Sequence, residues 1–118
     1  MAFDPYSLCP CGTGKKIKFC CPELLGELEQ LDRLVEGDQT EAALEQVIRL
    51  LEKHPKKACL LATRTKLELA TKRFNDAAVT SRAFLEAYPD NPLALGHAAV
   101  AAALLDNMQE AASLFDRS

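Results

Sequence analysis

One recurring interval constrains the fold of this chain more than any single motif. His54-Pro55 returns as Tyr88-Pro89, and Ala43, Ala77 and Ala111 keep the same spacing. Each of these alanines is followed by a small or apolar residue (Leu44, Ala78, Ala112), and Leu51 is matched by Leu85. A turn-like pair precedes each alanine: Gly37-Asp38, Lys72-Arg73 and Asp106-Asn107. Several unrelated features sharing one period indicate a supersecondary unit stacked on copies of itself, since one such unit cannot bury its apolar face alone. The unit reads as two helices. Its small residue, early in the second helix, lets the first helix approach closely. Its proline ends the second helix by disfavouring helical geometry at the residue before it. The pattern predicts helices over 23–36, 39–53, 57–71, 75–87, 91–105 and 108–117. Leu44, Val47, Ile48 and Leu51 supply the i, i+3, i+4, i+7 stripe of an amphipathic helix. Nothing in residues 23–118 reads as a strand, so the expected fold class is all-α.

On these features the region 24–118 resembles the tetratricopeptide-repeat (TPR) family, as two units and most of a third. The resemblance implies a right-handed α-solenoid of about three helical hairpins, with a concave face that takes a protein or peptide. Leu61 and Leu95 stand where the family favours an aromatic residue early in the first helix. The family's small residue there is matched by Ala99 but replaced by Leu31 and Thr65. Its aromatic in the second helix is met by Phe115, while Val47 and Ser81 depart, and Gly37 falls one residue early. The third unit stops at Ser118, where the family's second helix would continue. Solenoids normally need a polar cap, so the expectation is a fragment, or further helices in the natural protein.

Residues 1–22 have a different composition and no helical period. Four of the chain's five cysteines lie in CPCGTGKKIKFCC, from Cys9 to Cys21. The start, MAFDPYSL, lacks the basic and long apolar parts of an export signal, and the longest low-charge run, Leu93 to Leu105, is too short to span a bilayer. A cytoplasmic, reducing location is the resulting expectation. There, clustered cysteines are more often metal ligands than disulfides. A redox couple would show Cys-x-x-Cys beside a strand-helix unit, and neither is present. Four thiolates suit a closed tetrahedral zinc site, and an iron-sulfur cluster uses four as well. Gly12 and Gly14 permit the positive backbone angles of a tight Cys-x-Cys turn. Cys20 and Cys21 precede Pro22, which suits a first helical position. The positive end of that helix favours thiolate. Cys59 has no partner spacing and reads as a packed helical residue.

The same stretch is similar to the SEC-C motif, the zinc knuckle also found in the tail of the bacterial preprotein-translocase motor. The match runs over about residues 4–22 and includes the Cys-Pro-Cys-Gly start, Gly14, Lys15-Lys16, Lys18 and the closing cysteines. It implies structural zinc held by Cys9, Cys11, Cys20 and Cys21, the last standing where the motor's tail has histidine. The expected organisation is therefore a knuckle over 1–22 capping TPR-like repeats over 23–118. The resemblance further implies contact with an export chaperone or the ribosome.

Charge bears on the partner. The chain totals -3, but residues 1–22 carry +2 from Lys15, Lys16 and Lys18 against Asp4, leaving -5 for the rest. Four thiolates around one divalent zinc leave about -2, so these lysines compensate the metal centre as well as offering themselves to an acidic surface or RNA phosphate. No catalytic constellation is visible. His54 and His97 have no nucleophile or carboxylate at a suggestive offset, and a closed four-thiolate site has no open position for water. The leading expectation is a non-catalytic protein-interaction module, with Lys66, Leu69, Leu93 and Val100 as candidate contact residues on the first helices. The alternatives are an RNA- or ribosome-binding module acting through the knuckle, or a regulatory amino-terminal module of a longer enzyme. Elemental analysis of the purified chain should find one zinc per molecule. Replacing Cys9, Cys11, Cys20 or Cys21 by Ser should abolish it, and Cys59→Ser should not.

Overall fold

A computed structural model of the chain describes Lys16 and residues 22–105. A three-ten turn, Pro22–Leu24, leads into α1 (Leu25–Glu36), followed by α2 (Thr40–Lys53), α3 (Ala58–Ala70), α4 (Phe74–Ala87) and α5 (Pro92–Leu104). The architecture of the described region is all-helical, and its boundaries fall within two residues of those expected. Pro22 opens the three-ten turn rather than the α-helix itself. The expected helix 108–117, with Ala111 and Phe115, lies outside the described residues. No helix among the described residues is long and apolar enough to cross a membrane.

The links are short: residues 37–39, 54–57, 71–73 and 88–91. Links of three or four residues make each helix double back against its predecessor. Consecutive helices pack together, and α3 also packs directly against α5.

The interval that separates Pro55 from Pro89 recurs in the backbone itself. The link before α3 ends at Lys57 with φ -73° and ψ 119°, and the link before α5 ends at Asn91 with φ -76° and ψ 118°. His54 and Tyr88, which close α2 and α4, sit at φ -133°, ψ 69° and φ -136°, ψ 72°. Each precedes a proline, which disfavours the α region at the residue before it, and both have left that region. Asp38 and Lys72 share a left-handed φ of 63°. At both positions two backbone bonds close the end of the first helix. Asp38 N–H reaches Val35 O and Gln39 N–H reaches Leu34 O, as Lys72 N–H reaches Leu69 O and Arg73 N–H reaches Glu68 O. This is the Schellman arrangement, in which the left-handed residue is usually glycine. Here the glycine falls one place early: Gly37 has φ -85° and needs no special freedom.

Side chains adapt the repeated backbone to different cores. Ala43 and Ala77 are completely buried, so the small residue is used where α2 and α4 meet their first helices. Ser81 is buried and donates to the Ala78 carbonyl at 3.2 Å. Phe84, one turn along the same face, is completely buried. Phe84 meets Tyr88 edge-to-face at 5.9 Å. The Tyr88 hydroxyl donates to the Lys56 carbonyl and so joins the second unit to the link 54–57 of the first. Glu68 is 1% exposed, with Oε2 held by Arg64 Nε at 3.3 Å one turn earlier.

Two stability measurements check this account. Lys72→Gly removes a Cβ from a left-handed position and is expected to raise the urea midpoint, worth about 1 kcal/mol, with a smaller gain for Asp38→Gly because Asp tolerates that region better. Phe84→Ala should cost about 3–5 kcal/mol, seen as a lower midpoint at unchanged slope.

Candidate partner-binding face

The expected metal ligands Cys9, Cys11, Cys20 and Cys21, with Lys15 and Lys18, lie outside the described residues. Lys16 is described and exposed. Among the described residues, no three His, Cys, Asp or Glu side chains converge as a metal site would require. Cys59 forms no disulfide among the described residues and is completely buried in the core near the start of α3.

What is described is the base to which the cysteine stretch connects. Leu24 is buried in the main core, and Glu23 beside it forms an ion pair with Lys57 in the link before α3. The Lys57 ammonium, as hydrogen-bond partner, holds the Glu23 carboxyl below its usual range, with a backbone hydrogen bond acting in the same direction. The chain directly after Cys21 is thus fastened to the core by Leu24 and to the link 54–57 by Glu23.

Among the first helices, α3 exposes the least. Eight of the 13 residues of α3 are buried, because α2, α4 and α5 all pack against it. Its solvent-facing strip in the second half consists of Lys66, Leu69 and Ala70, spaced to share one face. In α5 the strip is Val100, Ala103 and Leu104, each one repeat interval beyond its counterpart in α3. In α1 the corresponding residues are Asp32, Val35 and Glu36. The repeat interval thus groups equivalent positions of the first helices into three rows: Asp32–Lys66–Val100, Val35–Leu69–Ala103 and Glu36–Ala70–Leu104. The middle row is apolar throughout.

Three of the four expected contact residues fit this strip: Lys66 and Val100 are exposed and Leu69 is half-buried. Leu93 differs. It is half-buried and packs against the main core, because it sits in the first turn of α5, where that helix meets the body of the protein. Sequence reading overlooked Val35 and Leu104, 42% and 46% exposed. Both could have been found by carrying Leu69 and Ala70 across the interval. Of the five large apolar residues exposed in the described region, four lie on α1, on α5 or directly after it. The fifth, Val79, stands alone on the outer side of α4 beside Arg82 and Glu86.

His97 lies at the edge of the strip, at the repeat position that Thr63 occupies in α3. Its ring meets Phe84 edge-on at 6.3 Å, and its Nδ1 is buried without a hydrogen-bond partner among the described residues. Burial, with the Lys66 charge on the neighbouring helix adding to it, pushes its pKa below the ordinary 6.5. His54, by contrast, is exposed in its link. Neither histidine is joined to a nucleophile or carboxylate by a described hydrogen bond.

Comparisons with known proteins found no matching family model, curated protein or solved structure.

Because the folded state prefers neutral His97, its contribution to stability is complete above the unfolded pKa and is lost as pH falls through it. The urea midpoint should hold steady above about pH 7.5 and decline below about pH 6.5. His97→Phe, which keeps an edge-on aromatic without a titrating group, should show a smaller decline between pH 7.5 and 5.5.

Proposed function

We propose that this protein is a zinc-binding, non-catalytic interaction module. In it an amino-terminal knuckle over residues 1–22 caps a right-handed, TPR-like solenoid of helical hairpins over residues 23–118. The observation that supports the reading is that α1, α3 and α5 carry exposed or half-buried apolar residues at one equivalent repeat position, the row Val35–Leu69–Ala103. A protein or peptide partner would lie across the first helices along that row, with Lys66, Val100 and Leu104 beside it. A central apolar contact with polar surroundings is the usual anatomy of a protein-binding patch.

The donor chemistry of the amino-terminal stretch suits zinc. Cys9, Cys11, Cys20 and Cys21 would hold it as four thiolates, and the bound ion would cross-link a segment too short and glycine-rich to have a core of its own. Metal binding can supply on the order of 10 kcal/mol to such a segment. The Leu24 and Glu23–Lys57 contacts supply the connection through which that order would reach α1 and α3. In this reading the site is structural, since four protein ligands leave no open coordination position. The SEC-C and TPR resemblances make an export chaperone or a ribosomal protein a reasonable class of partner, and a cytoplasmic setting is consistent with reduced thiols.

Two experiments test the reading. Full zinc removal from the intact chain should lower the melting temperature, and an unchanged melting temperature refutes the capping role. A photo-crosslinking residue placed at Leu69 or Val100 should capture a protein partner in cells, whereas one at Val79 should not. Equal capture at all three positions, or none, refutes the assigned face.

A further inference from the structure

The link 54–57 has the same backbone as the link 88–91 and the opposite charge. In both, the fourth residue's amide reaches the first residue's carbonyl, Lys57 to His54 at 3.2 Å and Asn91 to Tyr88 at 3.1 Å. Residues 52–57 read Glu-Lys-His-Pro-Lys-Lys, formally +2, whereas residues 86–91 read Glu-Ala-Tyr-Pro-Asp-Asn, formally -2. The shape of the link does not depend on its lysines.

The start of α3 is poorly served by those lysines, although Lys57 pairs with Glu23. At the second link Asn91 caps α5, its Oδ1 accepting from the amides of Leu93 at 2.9 Å and Ala94 at 3.2 Å. Lys57 gives α3 no side-chain cap. Lys56 and Lys57 also stand at the positive end of the α3 dipole, where acidic residues are favoured. A local choice that opposes the fold is the expected mark of a functional position. Lys53, His54 and Lys56 are exposed. Glu52, next to the link in the chain, is exposed, and Glu23 is engaged by Lys57. The link is joined to α4 by the Tyr88 bond to Lys56 and to the segment before α1 by Glu23. Lys18 precedes Pro22 by four residues, at most about 14 Å of fully extended chain.

From this we infer a second interaction surface, formed by Lys53, Lys56 and Lys57 with His54 and directed at the phosphate backbone of a nucleic acid. The chemistry favours that partner over an acidic protein. The link has no exposed apolar anchor other than Pro55, so it lacks the desolvated centre of a protein contact. Its cations are all lysines, which contact phosphates as point charges without reading sequence. The surface is separate from the strip on the first helices and does not rest on the protein-binding reading.

The test uses the intact, metal-replete chain and fluorescence anisotropy. Its probes are a 20-nucleotide RNA duplex, a DNA duplex of the same sequence and polyglutamate, each titrated from 50 to 200 mM salt. Binding to RNA, DNA or both, weakening steeply with salt, is expected. Lys53→Gln/Lys56→Gln should weaken it about ten-fold or more at 50 mM salt and reduce the logarithmic salt slope by about 2. Arg33→Gln/Lys72→Gln, with the same loss of net charge at exposed sites elsewhere, should leave the slope unchanged. Circular dichroism of both variants should match the parent. Absence of binding to either duplex, equal effects of the two double variants, or polyglutamate binding as tight as duplex binding overturns the inference.

Discussion

The burial of α3 on three sides governs how this protein presents itself to solvent. With α2, α4 and α5 packed around it, α3 contributes Cys59, Leu60, Leu61, Ala62 and Leu67 to the core. It also takes polar groups inside: Thr65 donates to the Leu61 carbonyl at 2.9 Å, and Glu68 pairs with Arg64. An unpaired buried charge would cost several kcal/mol, so Arg64, one turn away, is part of what allows Glu68 to stay inside. What remains exposed is a narrow strip, and the repeat extends it to α1 and α5. On α3 the proposed binding face is thus a consequence of packing: it is the part of that helix that no neighbour covers.

The two four-residue links show how one backbone serves different ends. Proline after His54 and Tyr88 produces the same chain reversal twice. The second link then uses Asn91 as a helix cap, as the helix dipole and the unpaired first-turn amides favour. The first places lysines there instead and engages Glu23 from the segment after Cys21. Differences of this kind between repeats carry more information than the similarities, because stacking alone does not require them.

Much of the helical layout was legible in the sequence. Prolines, small residues and the amphipathic stripe of α2 are local signals, acting within one or two turns of the residues that carry them, and the five helices of the described region follow from them. The turn after each first helix was located by the pairs Gly37-Asp38 and Lys72-Arg73. Which residue of each pair is left-handed, Asp38 and Lys72, was not, because the hydrogen bonds of the helix end impose the conformation. Ser81 was read as a departure from an aromatic pattern, and the buried aromatic of α4 is Phe84, one turn further on. Leu93 is half-buried against the main core, and periodicity cannot orient a helix such as α5 that has almost no polar face. The cysteine ligands rest on spacing and resemblance alone.

By itself the sequence determined the helices, the period at which they repeat and the grouping of four thiols in one short stretch. These depend on local backbone preferences and on covalent spacing. Only the tertiary structure decided which sides of α1, α3 and α5 meet solvent, that His97 has a buried ring nitrogen beside Phe84, and that Glu23 is fastened to Lys57 although α1 and α2 separate them along the chain. Those outcomes arise where neighbouring helices exclude water from one another, and the identity of the excluded surface depends on every helix in contact at once.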